Sequence, residues 1–333
     1  MARSHLTLAA LATSAVAGLD LAATSTFGGN GAGDYDSALL TGRDGRHWLI
    51  RIPTSEAAEE VQAADAAAIR ALSPGIRSRL PFAVSTFAGE APVGSTRAVV
   101  YEFVYGHTVS GIHELDAGDR GLAASVGRAI AAIHNLPTSF IADAGLPVLA
   151  PAESRRSAIT IMDRAAATGL VPVSLTSRWE KAIEDSALWQ FQPTVINNAL
   201  GAASLLTADG SVAGILGWQD LRVADPARDL AWLLGARAEG ATDSAFEAYL
   251  AIRPGDRQVT QRAVLYAELE IAKWLLHGTE TRSTEIVDDA VEMLGALVDS
   301  LENDVMHPIG AQTMPSMAVD EVEEFLQRSE RAV

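Results

Sequence analysis

Residues 193–230 read PTVINNALGAASLLTADGSVAGILGWQDLRVADPARDL. The stretch is apolar and irregular from Pro193 to Gly217, with a hairpin signal inside it. Leu205-Leu206 and Val212–Leu216 flank Asp209-Gly210, a pair suited to the positive φ angles of a tight turn. Downstream, Asp225-Pro226 reads as an N-cap with a proline in the first helical turn. Arg228 and Asp229 follow in that turn, placed to tie down the preceding loop. No Asp or Glu stands between Phe191 and Thr207, so the loop is free of acids.

Before this stretch the pattern changes from period two to period 3.6. Leu19–Phe27, Ser37–Thr41, His47–Ile52, Phe82–Phe87 and Arg97–Phe103 read as strands, with a turn at Gly42-Arg43-Asp44-Gly45 and a break at Gly28–Gly33. Ser55 caps a helix from Glu56 to Leu72, whose stripe is Val61, Ala64, Ala68 and Leu72. Beyond the turn at Tyr105-Gly106 the chain is mainly helical: Asp119–Asn135, Glu153–Thr168, Ser177–Trp189, Pro226–Leu234, Ser244–Ile252, Gln258–Leu276 and Ser283–Leu301. A β-rich piece followed by a helical one is an α+β pattern of two lobes around a cleft. The expected divisions are 1–103, 104–303 and an acidic tail, 304–333, in which Val319–Arg328 is amphipathic.

Composition narrows the function. The 333 residues carry 42 acids against 25 bases, a net charge of −17, which repels phosphate backbones and argues against nucleic acid. There is no cysteine, which excludes disulfides, thiolate nucleophiles and thiolate metal sites. The seven histidines lack metal-ligand spacing, and no G-x-S-x-G is present. Leu6–Leu21 has two readings: a signal peptide with Ala15-Val16-Ala17 at its cleavage site, or an Ala-rich helix running into a strand. The second is preferred, giving a cytoplasmic protein with no membrane span. Trp218, Trp232 and Trp274 are expected in the core, and His134 at the last carbonyls of its helix.

Three segments, in consistent order, carry a resemblance. Trp48-Leu49-Ile50-Arg51-Ile52-Pro53 looks like the third strand of the macrolide and aminoglycoside phosphotransferase family. Gly127–His134 is similar to the helix before that family's catalytic core. Residues 193–230 resemble the core itself, ending in Trp218-Gln219-Asp220 and Ala224–Leu230. The resemblance spans about residues 18–303. It implies a protein-kinase-like fold with ATP or GTP between the lobes and a small-molecule acceptor on the helical lobe.

The family's reactive positions are changed here. Its loop has the form H-G-D-x-x-x-x-N, in which Asp takes the acceptor's proton and Asn holds a metal. Anchored on Leu205-Leu206, Ala199 takes the base position and Ser204 the ligand position; Gly217 stands where the family's second metal-binding Asp belongs. Ala199 accepts no proton, Ser204 is a neutral oxygen and Gly217 offers no ligand, whereas magnesium wants hard anionic oxygens. Asp220 and Asp225 are the nearest weak substitutes.

At the nucleotide end, no lysine precedes Lys181, so Arg51 is the candidate phosphate cation. Asp65, on the stripe of the following helix, is its expected ion-pair partner, since a buried acid needs one. Gly29 and Gly31 would let backbone amides approach phosphates, and Glu102 and Val104 bracket the expected hinge; a plain hairpin and a buried strand end are the respective alternatives. Three functions follow: a phosphotransferase-like protein that binds a nucleotide, small molecule or protein partner without efficient transfer; an active small-molecule kinase using Asp220 or Asp225; or a scaffold docking partners through its acidic tail.

Overall fold

A computed structural model describes residues 3–28 and 33–302. Ser4 caps helix α1 (His5–Ala15), its hydroxyl accepting from the Thr7 amide. Strands β1 (Leu21–Thr26), β2 (Tyr35–Gly42) and β3 (His47–Pro53) follow. Helix α2 (Glu56–Ala71) is capped by Ser55, and the short α3 (Pro74–Arg77) starts with a proline. Strands β4 (Phe87–Val93) and β5 (Thr96–Glu102) complete an antiparallel five-stranded sheet of order β1-β2-β3-β5-β4.

Period-two alternation gives this sheet two buried faces. Ala38, Leu40, Trp48, Ile50, Ile52, Ala98 and Val100 pack against Leu8 and Ala12 of α1. Val99 and Tyr101, on the opposite face, join Ala68 and Ile69 of α2 and its C-cap residue Leu72 in the main core. The apolar stretch near the N-terminus is thus a helix covering the sheet; burying Leu8 alone is worth about 1.5–3 kcal/mol.

The α2 face is rotated from the expected stripe. Val61 is exposed, while Ala58, Gln62, Ala66, Ala68 and Ile69 are buried. In an alanine-rich helix the apolar pattern sets the orientation weakly, and the helix turns to carry Asp65 inward. The strand expected at Phe82–Phe87 starts at Phe87 instead. Ala83 there makes a bridge to Gly214.

The helical lobe begins after the connector at Phe103–Gly106. Its elements are β6 (His107–Thr108), α4 (Leu122–His134), α5 (Ser139–Asp143), α6 (Pro151–Ala166), α7 (Val173–Glu184) and β7 (Thr194–Ile196). After them come β8 (Leu205–Ala208), β9 (Ser211–Ile215), β10 (Arg222–Ala224), α8 (Ala227–Leu230), α9 (Ala241–Ile252), α10 (Val259–Thr281) and α11 (Thr284–Glu302). Strands β8 and β9 form the expected hairpin, with Asp209 at φ 51° and Gly210 at φ 72°. Helix α7 starts four residues before the expected Ser177 and ends at Glu184. The two-lobed α+β architecture matches a kinase-like fold. Among the described residues no helix is long and apolar enough to cross a membrane.

Candidate functional site

The loop Asn197–Ser204 joins β7 to β8 and is held from below by one carboxylate. Asp229 Oδ2 accepts from the Asn197 amide at 2.8 Å and Oδ1 from the Asn198 amide at 2.6 Å. The side chain of His134, from α4, reaches Asp229 Oδ2 through Nε2 at 3.3 Å. A carboxylate only accepts, so Nε2 carries the proton and Nδ1 accepts from the Tyr249 hydroxyl at 2.9 Å. Burial pushes the His134 pKa down, against the opposing pull of Asp229. His134 therefore braces the loop rather than capping its own helix: its ring is fully buried and faces α9.

The loop's own side chains lock it. Asn198 sits at φ 61°, a left-handed conformation that asparagine tolerates better than most residues. Asn197 donates from Nδ2 to the Gly217 carbonyl at 2.9 Å and accepts the Ala199 amide at 3.0 Å. Ser204 Oγ donates to the Gly201 carbonyl at 2.7 Å and accepts the Gly201 amide at 3.2 Å. Gly217 has φ 72°, and an added Cβ would meet nothing nearer than Gln219 Oε1 at 3.3 Å.

This donor set does not suit magnesium. Ala199 and Gly217 offer no side-chain oxygen, and the Ser204 hydroxyl is spent inside the loop. Asp225 is fully buried and committed to Arg262 Nε at 2.8 and 3.1 Å, the Tyr266 hydroxyl at 3.0 Å and the Ala227 amide at 3.0 Å. Asp220 is paired with Arg222. Among the described residues no group of three or more His, Asp or Glu is arranged to hold a metal.

At the opposite wall of the cleft, Arg51 and Asp65 are near enough to influence one another but form no contact ion pair. Asp65 instead takes the Trp218 amide on Oδ1 at 2.8 Å and the Tyr101 hydroxyl. Burial raises its pKa; the Trp218 amide and Arg51 oppose that rise. Arg51 lies over the Tyr35 ring at 5.6 Å. An aspartate is one methylene shorter than a glutamate, and the backbone amide is the partner within its reach. Glu102 is paired with Arg46, and its amide donates to the Thr86 carbonyl at 2.8 Å. Val104 is buried against Gly214. Phe103, between them, meets Phe27 edge-on at 5.8 Å, so the residue following β1 touches the connector. Gly29 and Gly31 lie outside the described residues, as does Val319–Arg328.

Below the loop opens a cavity of about 1310 Å³. Asn198, Ala199 and Leu200 form part of its wall, with Arg228, Trp232 and Trp274. Trp218 is fully buried, as expected, but Trp232 and Trp274 line this cavity, and Trp274 is 38% exposed. Helical spacing cannot distinguish a core tryptophan from one facing a cavity beside the core. The seating of His134 on Asp229 also escapes the sequence reading, because the two residues lie 95 positions apart in the chain.

A model of a phosphotransferase enzyme family matches residues 29–263. The chain is similar to the macrolide 2'-phosphotransferase MphH from Brachybacterium faecium, with 21% identity, TM-score 0.68, and 87% of this chain and 98% of that one covered. It is similar to a type I macrolide 2'-phosphotransferase at 24% identity and TM-score 0.66, covering 88% and 98%. It is also similar to an aminoglycoside 2'-phosphotransferase-IIIa solved with GDP, at 17% identity and TM-score 0.68, covering 90% and 100%. The YcbJ protein of Bacillus subtilis strain 168 is 23% identical over 287 residues, 80% of this chain and 88% of that protein.

Proposed function

The chain belongs to the phosphotransferase enzyme family, and from that premise we propose that it binds ligands on the family's scaffold without efficient phosphoryl transfer. One observation supports this reading: the loop braced by Asp229 carries Ala199 and Ser204, and Asn197 ties it to Gly217, the three positions at which the resemblance puts a base and two metal ligands. Losing a positioned base removes about 10²–10⁴ in rate. Phosphoryl transfer rests mainly on positioning and charge neutralisation, which the metal supplies. Losing all three groups together removes most of the catalysis. Asp225 offers no rescue, since its carboxylate is consumed by Arg262 and Tyr266.

ATP or GTP is the nucleotide this reading places between the lobes, held by Arg51 and the connector around Glu102 and Val104, without magnesium. The GDP complex of the aminoglycoside enzyme supports a nucleotide there. The cavity beneath the loop receives the second ligand, a small molecule or a segment of a protein partner, in the cytoplasm.

The test is a thermal-shift titration with ATP and GTP, each with and without magnesium. Ligand at about 100 times its dissociation constant adds about 2.7 kcal/mol. The expected result is a shift indifferent to magnesium, and no phosphate transfer to macrolides, aminoglycosides or sugars. Magnesium-dependent turnover that disappears with Arg51→Ala would overturn the reading.

A further inference from the structure

The floor of the large cavity holds polar groups without partners. Arg228 lines this cavity and an adjoining one of about 340 Å³. It is half-buried, rests over the Tyr266 ring at 4.9 Å and makes no ion pair among the described residues. Its Nε is sealed from solvent without a partner, and so is the indole Nε1 of Trp232 beside it. The acids around it are already committed. Asp229 holds the loop amides, Asp225 holds Arg262, and Asp220 holds Arg222. Glu268 holds Arg178 and the Trp179 indole, and Glu270 holds Lys273. Glu239 and Asp243 also line the cavity but are exposed, where water and salt screen them. Position 199, where the family places a carboxylate, is alanine. The lining as a whole carries more acids (Asp220, Glu239, Asp243, Glu268 and Glu270) than bases (Arg228, Arg237 and Lys273), but Arg228 is its half-buried cation with no acid in contact, and it stands beside an unsatisfied indole N–H.

The walls are apolar. Leu200, Ile271, Trp274, Met293 and Leu297 face the cavity, and Trp274 and Met293 remain 38% and 43% exposed. A half-buried cation without a counterion, under an open apolar wall, fits one ligand chemistry. Resting on the binding role proposed above, we infer that the cavity takes a small amphipathic anion. A carboxylate or phosphate group meets Arg228, and an apolar body lies against Trp274, Met293 and Leu297.

Calorimetric titration of the full chain with four ten-carbon probes tests this: decanoate, decyl phosphate, decyltrimethylammonium and 1-decanol. Binding of one or both anions, with the cation and the alcohol at least about tenfold weaker, is expected, because a charge-assisted hydrogen bond is worth about that factor. Which anion binds tighter identifies the headgroup. Arg228→Gln should weaken the anions by about tenfold or more, while Arg156→Gln, the same charge change on the exposed face of α6, leaves them unchanged. Met293→Glu should abolish anion binding while keeping the melting temperature. The inference fails if the cation or the alcohol binds as tightly as the anions, if no probe binds, or if a folded Arg228→Gln binds unaltered. The ranking of probes on the unsubstituted protein decides the matter even where Arg228→Gln does not fold. Magnesium-dependent turnover would overturn the loss of catalysis without touching this ranking, and an indifferent ranking would leave that loss standing.

Discussion

Asp65 Oδ1 accepts the backbone N–H of Trp218 at 2.8 Å, across 153 residues of chain. The bond ties α2 of the smaller lobe to the turn after Gly217 in the larger one, and it occupies the carboxylate that would otherwise meet Arg51. It carries a penalty: burial raises the Asp65 pKa, so its charge opposes folding at neutral pH. Because the folded-state pKa is raised, the group's contribution is most favourable below its unfolded pKa and declines as pH rises through the folded one. Asp65→Asn keeps an acceptor for Trp218 and removes the buried charge. It should match or slightly exceed the native stability at pH 7 by urea unfolding. Asp65→Ala orphans the amide and should lose about 1–3 kcal/mol.

His134 makes the opposite prediction for pH. Its pKa is lowered by burial from the ordinary 6.5, so the folded protein holds it neutral. The stability it contributes is complete above about pH 6.5 and is lost as pH falls below that value, at a slope approaching about 1.4 kcal/mol per unit. His134→Gln keeps a donor for Asp229 but does not titrate. Urea midpoints at pH 7.5 and 5.5 should differ less in this variant than in the native chain; equal differences would remove His134 from the account.

Part of this site is legible in the sequence and part is not, for physical reasons. The hairpin at Asp209-Gly210 and the turn after Asp225 follow from local backbone preferences, which a few residues express. The partners of Asp225 do not. Arg262 lies 37 residues away, and nothing at either position announces a fully buried pair. The burial of Asp65 is visible from its place on α2, yet its partner is a backbone amide, which no side-chain pattern encodes. The exposure of Val61 shows the limit of periodicity in an alanine-rich helix, where small side chains on every face leave the orientation to tertiary contacts.

Gly127 marks the closest approach of α4 to α9. A Cβ there would overlap the carbonyl of Ala245, which belongs to backbone and cannot swing aside. Helix propensity favours alanine by about 1 kcal/mol, so a surface position would gain stability from the change. Here the overlap reverses the sign. Gly127→Ala should lose about 1–3 kcal/mol or more, the scale of overpacking, and should loosen His134 and the Asn197 loop with it. Amide exchange of Asn197 and Asn198 should rise in the same variant. Unchanged protection would mean that α4 does not brace the loop.

Restoring the missing groups tests whether the scaffold is otherwise intact. The triple substitution Ala199→Asp, Ser204→Asn and Gly217→Asp puts a base and two metal ligands at the positions the resemblance assigns, on the loop held by Asp229 and on the turn that Asn197 ties to it. Position 217 has φ 72°, where a non-glycine residue is strained by about 1–2 kcal/mol, but aspartate is among the residues that adopt this conformation most readily. The space is adequate, since a Cβ meets only the end of the Gln219 side chain. The new carboxylates repel one another without a cation, so the variant should melt lower than the native chain in chelator. Magnesium should recover the difference and make the ATP or GTP thermal shift magnesium-dependent, in contrast to the magnesium-indifferent shift expected of the native protein. If magnesium leaves the triple variant unmoved, the Asn197–Ser204 loop and Gly217 are not aligned as a metal site, and three side chains alone do not account for the loss of transfer proposed above.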